Sequence, residues 1–364
     1  MYSLLQPILY SFDPEQIHEW TLGLCRRAEK IPGFMGLIGS MFSFDDPRLA
    51  VSIGNLTFAN PVGLAAGFDK NGIAVPWLHA LGFGHVEVGT VTPKPQPGNP
   101  KQRLFRLRED LAVINRMGFN NDGVEALVRS LQGINRQAPV GINLGKNKDT
   151  PMEEAAQDYV KGLKAAWELA DYFTINISSP NTQNLRSLQQ EEFLYPFIRE
   201  IIQTRDQLVE QRGSYRQVWL KIAPDLTDQE LEIICGIVLD LKVDALVVTN
   251  TTISRPGLQS PQREEMGGLS GKPVFELSNQ VLSEVARLTQ GQIPLIGVGG
   301  IFSAQDAFHK LSLGASLVQV LTGLIYQGPG LVRSINKGLV GKLNKNKLST
   351  ITQLTGSAFE LQQT

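Results

Sequence analysis

"YFTINISSPNT", residues 172–182, decides how this chain folds. It starts as an unbroken run of aromatic and β-branched residues. It stops in two serines, a proline and two asparagines, with no His, Cys, Asp or Glu among them. A run without polar alternation suits a strand covered on both faces, as in a parallel sheet. The pattern recurs as "PVGLAAG" (61–67), "HVEVGTV" (85–91), "PVGINLG" (139–145), "VWLKIAP" (218–224), "ALVVTN" (245–250), "PLIGVGG" (294–300) and "LVQVLTG" (317–323). Each run ends in small or polar residues, and a helical pattern follows. Eight such units over about 280 residues predict an α/β fold, the (β/α)8 TIM barrel. A doubly wound open sheet is the rival, and the lack of a break in the series favours closure.

The segments between the runs carry helix signals. "TPMEEAAQDYVKGLKAAWELA" opens on Pro151 and two glutamates. "DLTDQELEIICGIVLDLK" offers Thr227 or Asp228 as N-cap. "FSAQDAFHKLSLG" closes on Gly314. Two insertions stand out. "RLFRL" and "LAVIN", between the second and third runs, predict a hairpin. "SRPGLQSPQREEMGGLSG", after the sixth, reads as a mobile loop.

The first 45 or so residues differ in character, giving expected boundaries of 1–45 for a helical module, 46–345 for the barrel and 346–364 for a tail. "DPEQIHEWTLGLCRRAEKI" predicts a helix capped by Asp13, with Pro14 in its first turn. Ile17, Trp20, Leu24, Ala28 and Ile31 fall near one face of it. "PGFMGLIGSMF" follows, short and apolar. Either this pair of helices docks on the barrel, or it is an apolar module lying on a membrane surface, helped by Arg26, Arg27 and Lys30.

Charges nearly cancel at -1 across 364 residues, and 42% of them are hydrophobic. That balance gives no sign of a nucleic-acid surface. Cys25 and Cys235 lack metal or redox spacing, which suits a reducing compartment. The scattered His18, His79, His85 and His309 suggest no metal site. No apolar run approaches the roughly 18 residues of a membrane span, and the start of the chain reads as neither a signal nor a transit peptide.

Barrels of this type place chemistry at the carboxyl ends of their strands. Those ends here carry Lys70 and Asn71, Thr90, Asn143, Asn176 with Ser179 and Asn181, Lys221, Asn250 with Thr251, Gly299 with Gly300, and Thr322 with Gly323; Asn115 from "INRMGFNN" joins them. An amide offers donors and an acceptor together, so converging asparagines match a flat ring edged with N–H and C=O groups, such as a pyrimidine or an isoalloxazine. The glycine turns of the seventh and eighth runs suit a phosphate at a helix start. Lys221 reads either as a Schiff-base lysine or as a fixed cation beside a ring that gains negative charge. An aldolase, a phosphosugar isomerase and a non-catalytic nucleotide binder therefore stand beside a flavin enzyme.

"GLAAGFDKNG", "VINRMGFNNDG", "GINLGKNKDT", "NISSPNTQNLR", "KIAPDL", "VVTNTT", "GGLSGKP" and "IGVGGI" together resemble the dihydroorotate dehydrogenase family, in family order and over nearly the whole barrel. The N-terminal extension, and Ser179 where the other major class has Cys, resemble the membrane-associated, quinone-dependent class. The resemblance implies FMN, dihydroorotate oxidised to orotate in pyrimidine synthesis, and a quinone as final acceptor. It makes Ser179 the base at C5 of the substrate ring, while hydride leaves C6 for the flavin. Lys70, Asn115, Asn176, Asn181, Asn250 and Thr251 would hold substrate, with the turn Asn115, Arg116, Met117, Gly118 and Phe119 closing over its carboxylate. Ala65, Ala66, Gly67, Thr90, Asn143, Asn176, Lys221, Thr249, Gly271, Gly300, Leu321 and Thr322 would hold FMN. His18 and Arg106 would line the quinone approach. A monomer, peripheral on the cytoplasmic face of a bacterial membrane through its N-terminal helices, is the expected form. One departure is visible: Leu321 stands where the family commonly has Tyr, which bears on quinone preference.

Overall fold

The computed structural model describes residues 2–182, 185–255 and 257–360. Gln183 and Asn184 of the "NISSPNTQNLR" motif, Pro256 of the long loop and the last four residues of the expected tail lie outside the described residues. Eight parallel strands close into a barrel: β1 (Val62–Leu64), β2 (His85–Val91), β3 (Val140–Leu144), β4 (Tyr172–Asn176), β5 (Gln217–Ile222), β6 (Ala245–Val248), β7 (Leu295–Val298) and β8 (Ala315–Val320). Each pairs with its neighbour in chain order, and β8 returns to β1. The open-sheet alternative is thereby excluded. Every residue of β1 to β7 is buried, which explains why the runs show no alternation.

The lower half of the barrel is filled with rings. Tyr172 stacks on Trp219 with centroids 3.6 Å apart, and His85 meets both Trp219 and Phe58 edge-on. Glycines make the room: a Cβ on Gly63 would lie 2.0 Å from His85 Nε2, and one on Gly141 would lie 2.1 Å from Tyr172 Cζ. Phe58 comes from the hairpin Val51–Ile53/Leu56–Phe58. The floor is thus plugged, and open space is left at the strands' carboxyl ends.

Above that end sits the expected hairpin, Leu104–Leu107 with Ala112–Asn115. It gains a third antiparallel strand, Gly268–Gly271, in which Leu269 faces Ile114. The expectation of a mobile loop after β6 is therefore corrected. Its second half is a strand, and Pro261–Glu264 forms a 3-10 turn whose approach is fixed by Asp110, which accepts from the Gln259 and Ser260 amides at 2.9 and 3.0 Å.

Three helices precede the barrel: α1 (Tyr2–Ser11), α2 (Pro14–Ala28) and α3 (Phe34–Phe42). Asp13 caps α2 as expected, its Oδ1 accepting from the Glu15 and Gln16 amides at 3.0 Å. α1 was not anticipated; it carries Pro7 in its interior, and Tyr2 and Tyr10 both donate to the Ile325 carbonyl. The apolar face read on α2 does not pack on the barrel. Trp20 and Leu24 are 53% and 66% exposed, Ile17 and Ala28 are half-buried, and Ile31, 55% exposed, falls in the turn beyond the helix, while Glu15, Leu22 and Cys25 point inward. Leu4, Leu5 and Ile8 of α1 and Leu37 and Met41 of α3 are exposed too, so the module turns an apolar surface outward. No helix of the described residues is long and apolar enough to cross a membrane.

Candidate active site

A cavity opens where the strand ends, the three-stranded sheet and the N-terminal helices meet. Counting all the empty space out to its open mouth, it spans about 1240 Å³. From β1 and the turn after it come Ala65, Ala66, Gly67, Phe68 and Lys70. β2 and β4 supply Thr90, Asn176, Ser179 and Asn181. β5 and β6 supply Lys221, Thr249, Asn250 and Thr251. Asn115, Met117, Gly118 and Phe119 enter from the hairpin's exit, Leu321 from the end of β8, and His18 from α2.

Other expected residues stand back from the space. Asn143 is fully buried behind Thr90 and Asn176. Gly271, Gly300 and Thr322 lie beside it at the far end, where Thr322 donates to the Ser270 hydroxyl at 2.8 Å, and Ser270 does line the cavity. Arg116 turns away: it pairs with Glu265 at 2.6 Å and lies over the Phe105 ring. Arg106 is held by the carbonyls of Leu9, Tyr10 and Phe12 and stacks on Tyr10. A cation there satisfies the carbonyl-rich end of α1, so its guanidinium is committed to anchoring the helix.

The floor is a polarised amide chain that starts at Glu87, a residue the sequence reading passed over. A carboxylate in the fully buried run "HVEVGTV" was the available signal. Glu87 Oε1 accepts from Asn143 Nδ2 at 2.7 Å, and Oε2 accepts from Thr174 Oγ1 at 3.0 Å and Gln319 Nε2 at 2.9 Å. An ionised carboxylate only accepts, so Asn143 must turn its amide nitrogen toward it. The Asn143 oxygen then receives Thr90 Oγ1 at 2.6 Å and Asn176 Nδ2 at 3.2 Å. The Asn176 oxygen in turn receives Asn250 Nδ2 at 3.2 Å, and the Asn250 oxygen receives the Thr251 amide at 2.8 Å. One buried charge thus fixes which edge of each asparagine is available to a ligand.

Two lysines face this space. Burial pulls the Lys221 ammonium below its ordinary pKa, and the Glu87 charge opposes that pull. Lys221 has no hydrogen-bond partner among the described residues. Lys70 donates to the Gly67 carbonyl at 3.1 Å. Burial lowers its pKa to about 8, aided by Arg103 and opposed by Glu15, Asp69 and Glu19. Beside it, burial and the Lys70 charge bring His18 down to about 4, and its Nε2 lies 2.7 Å from the Phe68 carbonyl oxygen. His18 is thus neutral at pH 7. Ser179 is buried, and its Oγ accepts from the Asn181 amide at 3.3 Å. Among the described residues no carboxylate or imidazole bonds to it. Arg186 secures the strand ends on either side, donating to the Ser178 and Thr251 carbonyls and pairing with Asp225 at 2.8 Å.

The apolar half of the lining was also missed. Leu104, Val113, Leu269 and Ile325 face the cavity from the sheet and from the helix after β8; they lie outside the strand-end pattern, and the hairpin's alternation marks only Leu104 and Val113. At the far end Gly299 and Gly300 have φ of 115° and 71°, and a Cβ on Gly300 would lie 2.5 Å from Phe275 Cβ. A hydroxyl pair and glycine backbone at one end, amide edges in the middle and a free cation beneath suit a flat, amide-edged ring carrying an anionic tail. Among the described residues no cluster of His, Cys, Asp and Glu could hold a metal ion.

Known proteins agree with this geometry. The family model described as dihydroorotate dehydrogenase matches residues 48–343. A "dihydroorotate dehydrogenase (quinone)" from Christiangramia forsetii is 50% identical over 93% of this chain and 98% of its own length. The protein of the same name from Acinetobacter baumannii is 48% identical over 92% and 98%. The crystal structure of ligand-free DHODH from Eimeria tenella superposes with a TM-score of 0.85 at 40% identity, covering 95% of this chain and 99% of that one; its complex with ferulenol gives 0.88 at 39%, covering 95% and 96%. Neither the aldolase nor the non-catalytic reading survives this agreement, and the chain belongs to the dihydroorotate dehydrogenase family.

Proposed function

We propose that the chain oxidises (S)-dihydroorotate to orotate in pyrimidine synthesis, with FMN as its flavin and a membrane quinone as final electron acceptor. The observation that carries this reading is convergence: Lys70, Ser179, Lys221 and Asn250, from the ends of four different strands, face one cavity floored by oriented amides. Relatives bearing the quinone-dependent name align over 93% and 92% of this chain.

The residues present fit FMN. Thr90, Asn176 and Lys221 would meet the polar edge of the ring, with Asn143 behind them fixing their orientation, and Ala65, Ala66, Gly67, Thr249 and Leu321 would border it. Gly271, Gly300 and Thr322 would receive the phosphate. Bound FMN would supply a two-electron acceptor that stores reducing equivalents between the half-reactions. Asn115, Asn176, Asn181, Asn250 and Thr251 would orient the substrate's amide edges, the 115–119 turn would cover its carboxylate, and Lys70 would provide the facing positive charge. Ser179 would take the proton from C5. Its hydroxyl is a weak base in water, so its own proton would pass on along Ser/Thr hydroxyls or a bound water as the C5 proton arrives, while exclusion of solvent and the neighbouring cation would stabilise the negative charge developing on the substrate ring. Neutral His18 and the apolar wall of Leu104, Val113 and Ile325 would form the quinone's approach. Residues 1–45 would then be the quinone module, 46–345 the catalytic barrel and 346–364 a tail. The outward apolar face of α1 to α3 supports peripheral membrane contact, on the cytoplasmic face of a bacterial membrane and as a monomer.

Anaerobic mixing with dihydroorotate should bleach the flavin absorbance of the purified protein, and adding a quinone should restore it. A colourless protein, or a flavin that dihydroorotate leaves oxidised, rules the reading out. The Lys70 pKa of about 8 adds a pH dependence. The ammonium is present below that value and lost above it, so orotate affinity should fall about tenfold per pH unit once pH exceeds 8. Spectral titration with orotate between about pH 6 and 10 checks this; a flat profile removes Lys70 from anion binding.

A further inference from the structure

The N-terminal module reaches the substrate side of the cavity through one buried ion pair. Glu15, in the first turn of α2, is 4% exposed, and Arg103, which opens the hairpin, is 6% exposed. Arg103 Nη2 donates to Glu15 Oε1 at 2.7 Å, and its Nε reaches both carboxylate oxygens at 3.2 and 3.1 Å. Its remaining nitrogen, Nη1, donates to the carbonyls of Pro97 and Asn99 at 2.6 Å each. Burial acts to raise the Glu15 pKa, but Arg103 and Lys101 outweigh it and hold the carboxyl below its ordinary range.

Arg103 in turn holds the 115–119 turn. Its backbone carbonyl accepts from the Arg116 amide at 2.9 Å, and the Asn99 amide donates to the Met117 carbonyl at 3.0 Å. Asn99 Nδ2 donates to the carbonyls of Arg116 at 3.0 Å and Asn181 at 3.2 Å. The packing leaves no slack: a Cβ on Gly98 would lie 2.3 Å from the Met117 carbonyl oxygen, and one on Gly118 would lie 2.7 Å from the Asn99 side chain. Both glycines have positive φ, 74° and 70°. Displacing the Arg103 guanidinium therefore moves the 97–99 turn, and with it the backbone on which Met117, Gly118 and Asn181 are mounted.

We infer that Glu15 and Arg103 are positioning residues for substrate binding, so that docking of the N-terminal helices onto the barrel and occupancy of the substrate site are thermodynamically coupled. The inference rests on the reading of the 115–119 turn as the cover of the substrate carboxylate. Coupling between sites is reciprocal. The docked helix tightens substrate binding, and bound orotate tightens the helix. The module is then more than a quinone sleeve, because its seating on a membrane is felt where dihydroorotate binds.

The test uses the full-length holoprotein with Glu15→Gln, and Glu15→Asp as conservative partner. Glu15→Gln should weaken orotate roughly tenfold, within the usual range of coupling, and raise the dihydroorotate concentration for half-maximal flavin reduction by a similar factor. The limiting reduction rate should change less than about threefold. Glu15→Asp should recover most of the affinity. Independently of any variant, orotate should slow hydrogen exchange of the α2 amides in the wild-type protein. Unchanged orotate affinity in a folded, flavin-loaded Glu15→Gln, or α2 exchange indifferent to orotate in the wild type, overturns the coupling. Should Glu15→Gln fail to fold, the wild-type exchange measurement decides alone. A wild-type protein that binds no orotate refutes instead the functional reading beneath.

Discussion

Replacing Ser179 by Ala should slow flavin reduction by dihydroorotate by about 10²–10⁴-fold, the usual cost of losing a general base, while FMN content and orotate affinity stay close to wild type. The separation follows from the geometry. Ser179 is buried at the cavity wall, and its one hydrogen bond among the described residues is the 3.3 Å contact from the Asn181 amide. The amides proposed to hold substrate, Asn176 and Asn250, are oriented through Asn143 and Glu87, a chain that does not run through Ser179. Removing the hydroxyl therefore deletes a proton acceptor without disturbing Asn176 and Asn250, at the loss of one long contact from the Asn181 amide. Anaerobic stopped-flow at saturating dihydroorotate reads the rate, and orotate titration reads the binding. Reduction at the wild-type rate in the variant would take Ser179 out of the chemistry. Loss of orotate binding alongside the rate would make it a structural turn residue ahead of Pro180.

The barrel was legible because its evidence is local and repeated. Each strand needs its own two-sided apolar run, and "HVEVGTV" and "ALVVTN" mark β2 and β6 to within a few residues. The polar strand ends were legible for the same reason, since their position after a buried run specifies where they point. What escaped depends on partners distant in sequence. Arg106 reads as a cation near the mouth, but whether it faces a ligand or a helix end is set by α1, about 95 residues away. The Gly268–Gly271 strand has too many glycines to announce itself and exists because the hairpin edge offers it a template. α2 shows the limit of periodicity most clearly. The exposed pair Trp20 and Leu24 is real, but amphipathicity does not say which side meets protein. The buried side carries Glu15, whose charge is acceptable there only because Arg103 meets it.

Lys221 and Glu87 should behave as a coupled pair, and double substitution should be milder than single. Lys221 stands over a barrel interior in which Glu87 supplies the counter-charge. Glu87 is completely buried, and its hydrogen bonds come from neutral groups: Asn143, Thr174, Gln319 and, at 3.5 Å, Tyr172. Lys221→Met leaves that carboxylate without its cation. Breaking a buried contact pair from one side costs about 3–5 kcal/mol; these two interact without direct contact, so about 2 kcal/mol is expected. Adding Glu87→Gln removes the stranded charge while keeping an oxygen for Asn143 Nδ2. The new amide nitrogen then needs acceptors. Gln319 Oε1 has no partner among the described residues and can serve after the Gln319 amide turns over, and the Thr174 hydroxyl can rotate. The double variant should therefore recover most of the lost stability in denaturant unfolding. Its FMN affinity should stay reduced at least tenfold, since the cation that would face the ring is still missing. Equal destabilisation of the single and double variants would show that the two charges do not sense each other. Wild-type FMN affinity in either would remove Lys221 from the flavin site, leaving the amide chain to orient the ring unaided.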